Sequence, residues 1–178
     1  MTDMSEKSAA KQWLDAASDA IASGSSASAL SAAMLSWRSI VDEDSAAGGL
    51  NGPSQWLWGE REARTKQASV KHTAVGSIIH FGTSLFWAVF YERFFGARHG
   101  RTAPARVIAE AAGTTAAAYV VDYYLTPPRF RPGFEKHLTP RSMVFVYVAF
   151  AAGLAAVTLA RNSRSQDQAA GPGRQDSN

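Results

Sequence analysis

Charge divides this chain into four quiet stretches separated by crowded ones. Ala20–Trp37 and Ser142–Ala160 hold no charged residue, His72–Tyr91 none beyond its histidines, and Val107–Pro128 only Glu110 and Asp122. Residues 38–71, by contrast, carry ten charges. A helix needs about 20 residues to cross a hydrocarbon core of about 30 Å. The spacing therefore predicts spans over about 20–37, 72–91, 106–126 and 141–160. The expected architecture is all-α: a polytopic transmembrane four-helix bundle. The fullest stretch is "SMVFVYVAFAAGLAAVTLA"; the thinnest, "AIASGSSASALSAAMLSW", is diluted by serine. For that first stretch an amphipathic helix lying on the membrane surface is the competing reading. A signal peptide fits poorly, because acidic residues mix with basic ones ahead of it and no leucine-rich core follows.

The flanks and joints follow ordinary chemistry. Residues 1–19 form a polar N-terminal segment, and 161–178, almost free of large apolar side chains, are expected to be disordered. Thr139-Pro140 reads as an N-cap with proline in the first turn, and Thr102 followed by Pro104 reads the same way. Pro127-Pro128 must end the third helix, since proline removes a donor and restricts the residue before it. "LNGPSQWLWGERE" is expected to be an aromatic loop at the membrane interface. Trp56 and Trp58 in that loop and Trp37 and Trp87 near predicted helix ends are the candidate interfacial anchors. Small residues recur every four positions around Gly24, Gly76, Gly113 and Gly153, as close helix packing in lipid requires.

Composition adds exclusions. The chain has 178 residues and no cysteine, so disulfides, thiolate metal sites and thiol nucleophiles are out. A mean hydropathy of −0.15 hides the segregation just described. A net charge of +3 is too small to argue for nucleic acid. The basic residues alternate with the spans, so they read as headgroup anchors. Four spans put both termini and the loop "ERFFGARHGRTAPAR" on one side and the two aromatic loops on the other. Lysine and arginine divide equally between the sides; the short basic loop tilts the expectation towards cytoplasmic termini.

Within the spans, Asp122 stands out. At 1.5 Å per residue it lies about 24 Å along the third helix from Arg106, and His80 lies about 12 Å into the second from the other side. The two are thus within about 6 Å in depth if their helices are antiparallel neighbours. An aspartate at mid-bilayer costs roughly 2.5–3.5 kcal/mol, less near the interface. Protonation, a pair with His80, or a structural ion pair with Arg129 or Arg131 would each lower that cost. His80, Asp122 and Tyr123 are therefore candidate ligand or proton-relay residues, and Asp122, Arg129 and Arg131 candidate ion-pair partners. No serine elbow, zinc-protease helix, phosphate loop or dinucleotide fingerprint occurs. No metal ligand set and no cofactor is expected.

"SIIHFGTSLFWAVFYERFF" and "AGTTAAAYVVDYYLTPPRF" resemble small, uncharacterised bacterial inner-membrane proteins. The order of a histidine-containing helix, a short basic loop and a small-residue helix ending in Thr-Pro-Pro is similar to the YagU-like group. The resemblance covers about residues 70–130 and implies a multi-pass inner-membrane location; it brings no catalytic residues. The expected role is a non-enzymatic membrane component whose partners are the lipid bilayer and a second copy or another membrane protein. The alternative is a small transporter or proton-linked permeation protein using Asp122 and His80. A lipid-acting enzyme at the aromatic loops is weaker still.

Overall fold

The computed structural model describes residues 2–96 and 102–170. Among them there is no strand. Four long helices, α1 (Thr2–Glu43), α4 (Val75–Phe95), α5 (Pro104–Val120) and α6 (Pro140–Ala170), are joined by loops carrying two one-turn helices, α2 (Gly48–Asn51) and α3 (Gln55–Trp58). Val70–Ala74 and Val121–Leu125 are wider π-helical turns that extend α4 backwards and α5 forwards.

The long helices run up, down, up and down. Gly24 of α1 faces Leu85 and Ala88 of α4, Ser31 faces His80, and Gly153 of α6 meets Ala27 of α1. Asp122 of α5 meets Tyr147 of α6. α1 packs against both α4 and α6, while α5 leans mainly on α6. Thr2, Phe95, Pro104 and Ala170 thus lie at one end, and the two aromatic loops at the other.

Two helical stretches, Val70–Phe95 and Pro140–Gln168, are long and apolar enough to cross a membrane. α1 and α5 are not, which narrows the expectation of four apolar spans. The reason in α1 is that its inward stripe is small and polar: Ala16, Ala20, Ser23, Ala27, Ser28, Ser31 and Ser39 are all buried. α5 is short, rich in alanine and interrupted by Glu110.

Boundaries differ in places from the sequence expectation. Residues 2–19 form no separate segment, because α1 runs on without a break until Asp44 takes a left-handed conformation at φ 59°. Residues 161–170, expected to be disordered, continue α6. Arg161 anchors that extension to α1 and α4, and Asn162 donates to the Thr102 carbonyl oxygen at 3.1 Å. Residues 171–178 and the loop positions Arg98 and Arg101 lie outside the described residues, as does Arg174. Thr139 caps α6 as expected, accepting from the Ser142 N–H at 3.4 Å. α5 begins differently: Ala103, not Thr102, stands at the N-cap, with Pro104 in the first turn.

The glycines separate by role. A side chain on Gly24 would press into Leu85 and Ala88 at 2.9–3.1 Å; on Gly153 it would strike the backbone of Ala27, and on Gly76 the Leu50 carbonyl. Gly113 has open space, so the expected packing row through it is on the wrong face. Val107, Ala111, Thr114 and Ala118 make the buried face of α5 instead, leaving Ala109, Gly113 and Ala117 outside.

A polar cavity inside the bundle

Two apolar layers fill the bundle. Ala20, Ala27, Ala88, Tyr91, Phe150 and Leu154 lead the layer towards the termini; Leu35, Phe134, Leu138, Met143 and Val146 form the layer under the loops. Between them lies a cavity of about 40 Å³. Each long helix contributes a polar group or ring to its wall: Ser31 from α1, His80, Thr83, Ser84 and Trp87 from α4, Asp122 from the turn after α5, and Tyr147 from α6. A water needs about 10–15 Å³ of such space and two to four polar partners. The cavity has room for a few waters and for nothing larger.

The wide turn at Val121–Leu125 sets the carboxylate. Pro127 holds Thr126 extended, and the Thr126 N–H reaches back to the Val121 carbonyl at 2.8 Å. Asp122 accepts a hydrogen bond from the Tyr147 hydroxyl at 2.9 Å, and Trp87 lines the same cavity. On the opposite wall His80 Nε2 lies 3.0 Å from Ser31 Oγ. Ser31 has one hydroxyl proton, and its shorter contact is to the Ala27 carbonyl at 2.7 Å. It therefore accepts from Nε2–H, which sets the tautomer of a neutral His80. The His80 ring also packs edge-on against Phe134 at 5.7 Å.

A second cavity of about 30 Å³ shares Thr83 and Asp122 with the first and is otherwise walled by Pro53, Trp56, Ile79, Phe130 and Pro132. The two cavities adjoin at Thr83 and Asp122, the smaller beneath the aromatic loops and the other in the middle of the bundle. Beyond it, towards the termini, the apolar layer closes the interior, backed by Tyr91 bonded to Thr158 at 2.9 Å. Outside that layer a pocket of about 210 Å³ opens among Asp15, Asp19, Glu92 and Arg93.

The candidates fall out as follows. His80 and Asp122 share the cavity, but no hydrogen bond joins them. The ion pair of Asp122 with Arg129 or Arg131 does not form: Arg131 Nε donates to the Thr126 carbonyl at 3.3 Å, and Arg129 reaches the Trp56 carbonyl at 3.5 Å. Both arginines lie past the prolines, on a turn directed at α3, whereas Asp122 faces inward. Tyr123 does not line the cavity. It stacks on Tyr119 at 5.1 Å along a groove between α5 and α6. Trp87 is no interfacial anchor, because it stands on the inner face of α4. Trp37 and Trp58 are exposed, and Trp56 ties the two loops, donating to the Arg131 carbonyl at 3.2 Å. Sequence reasoning missed Tyr147, Ser31, Thr83 and Ser84. For Tyr147 the signal was present: seven residues past Pro140, it sits about 10 Å deep by the depth count that paired His80 with Asp122.

Among the described residues no cluster of His, Asp and Glu could hold a metal ion. No family model matches the chain, and no curated protein and no solved structure matches it.

Proposed function

We propose that the chain is a four-span membrane protein built around a water-sized polar site, working as a small proton-linked permeation unit through Asp122 and His80. The observation that carries the membrane part is an inside-out distribution of polarity. Serines, His80, Ser84, Thr114, Thr115 and Thr158 are buried, while Ile78, Phe86, Ile108, Val144, Phe145 and Val148 are exposed. Only 22% of the first apolar window and 44% of the second is buried in the chain. A soluble core helix buries its apolar side chains; these helices present theirs outward, where only lipid makes that favourable.

The charge pattern supports the same slab. Arg141 and Arg161 bracket α6 about 30 Å apart, and Asp19 and Arg38 bracket the quiet part of α1 about 28 Å apart. At one end Arg161 bridges Glu92 at 3.2 Å and Asp19 at 3.4 Å. At the other, Arg38 donates to Ser142 at 2.9 Å. Both separations match the hydrocarbon thickness. The resemblance to inner-membrane proteins and the short basic connection near Arg106 carry the remainder: a bacterial inner membrane with cytoplasmic termini.

The permeation part rests on Asp122. It faces a cavity without a cation to neutralise it, and an ionisable group so placed is a functional site by default. The cavities stop at an apolar layer, so passage requires that layer to open. Vesicles containing the protein are expected to dissipate an imposed pH gradient faster than empty ones. Asp122→Asn should return the rate to background with helix content unchanged. Undiminished flux in that variant, or none in the parent, removes the reading.

A second reading, a non-enzymatic component acting through helix contacts with another copy or a membrane-protein partner, is favoured by one observation. The Ala109–Gly113–Ala117 row faces outward and unfilled.

A further inference from the structure

A larger concavity stands apart from the two cavities that share Asp122. It is an apolar groove of about 570 Å³ on the outer surface between α5 and α6. Its walls run from Tyr123 to Ala112 on α5 and from Pro140 to Ala151 on α6. Each wall is twelve residues, eleven steps of helical rise, or about 16 Å. One end lies level with the loops, and the other stops about half-way through a 30 Å hydrocarbon core. The groove is thus one leaflet deep.

Its width limits what can lie in it. Spread over about 16 Å of length, the volume gives a mean cross-section of about 36 Å², open along its outer side. A helix with its side chains is about 10–12 Å across and would enter the trough only with the side chains of one face. An extended hydrocarbon chain fits. Charge then selects the headgroup. Among the lining residues the one charged side chain is Glu135, at the loop end, with Tyr123 beside it. Its carboxylate is shared with Lys136 at 3.2 Å and remains partly exposed. An anionic headgroup is repelled there, whereas an ammonium finds a carboxylate and an aromatic neighbour.

We propose that this groove binds one phospholipid of the loop-side leaflet, an acyl chain lying between Ala116 and Val148 and an amine-bearing headgroup meeting Glu135. The inference rests on the membrane reading above. The test uses the full chain in mild detergent, with native mass spectrometry after titration with phosphatidylethanolamine or phosphatidylglycerol. The parent is expected to carry one phosphatidylethanolamine in preference to phosphatidylglycerol. Ala116→Trp, which fills the trough from an exposed position, should lose the adduct with helix content retained. Ile78→Trp, on the exposed face of α4, should keep it. Glu135→Gln should retain a lipid and lose the headgroup preference. No adduct on the parent, an adduct undiminished in Ala116→Trp, or a parent dimer that Ala116→Trp dissociates would overturn the proposal. Equal binding of both lipids by the parent would overturn the headgroup assignment. A chain that stays dispersed without detergent would instead refute the membrane reading itself.

Discussion

At Gly24 and Gly153 the helices approach until no side chain fits. Close approach of this kind holds helices together in lipid, where dispersion has to replace the hydrophobic effect. Gly24→Leu would force a branched side chain into Leu85 and Ala88, and overpacking of this sort costs about 1–3 kcal/mol. Gly153→Leu meets backbone at Ala27, which yields less readily, and belongs at the upper end of that range. Gly113→Leu enters open space and should change chain stability by no more than about 0.5 kcal/mol. Thermal unfolding of the three variants in one detergent checks the order. If the permeation reading is wrong and the contact reading right, Gly113→Leu should still weaken self-association while leaving that stability intact. The four glycines look alike in the sequence because four-residue spacing marks a row without saying which way it faces. Direction came only from the neighbours of each helix, which is also why Trp87 reads as an anchor until α4 is seen to turn it towards Asp122.

Among the elements, α1 was the least legible and is the most central. Its serines lower its hydropathy, so as a sequence it resembles a surface helix. In the bundle they lie on the face shared with α4 and α6, and Ser31 returns its hydroxyl proton to the carbonyl four residues back. A serine so bonded is compact and satisfied, and averaging along the chain cannot distinguish it from a solvated one. The α6 start was legible, because Thr139-Pro140 is a local signal. What the sequence could not show is that Asp42, from the end of α1, completes that cap. Its carboxylate accepts from the Thr139 N–H at 2.8 Å and from the Thr139 hydroxyl at 3.1 Å. Burial pushes the Asp42 carboxyl up, but the donors from Ser142 and Thr139 and the nearby Arg38 outweigh it and hold the group below its ordinary value. A carboxyl depressed in the folded state stabilises the fold above its unfolded pKa, near 3.9, and the contribution is lost as pH falls through the lower folded value. The parent should therefore lose stability more steeply than Asp42→Asn as pH falls below about 4. Parallel acid titrations of helix content test this; identical slopes would mean that the cap carries no linkage.

For the whole molecule, the up-down-up-down order makes a prediction independent of any activity. The charge-poor stretches of α1 and α6 were legible, since charges about 30 Å apart leave the same mark on a helix whatever its hydropathy. The cavity between the two apolar layers was not, because it draws residues from four helices whose rotation no linear pattern records. If all four helices cross the bilayer, Lys11 and Ser165 lie on one side and Gln67 and Arg129 on the other. The chain contains no cysteine, so each can be replaced singly by cysteine and no other thiol reacts. All four positions are exposed, and the substitutions leave the interior untouched. An impermeant maleimide added outside right-side-out membrane vesicles should label Gln67→Cys and Arg129→Cys and spare Lys11→Cys and Ser165→Cys. Inverted vesicles should reverse the pattern. Reversal in both preparations would keep the four spans and move the termini out of the cytoplasm. Labelling of Lys11→Cys on the side opposite Ser165→Cys would mean that α1 lies along the surface, and the cavity, which takes Ser31 from α1, would lose one of its walls.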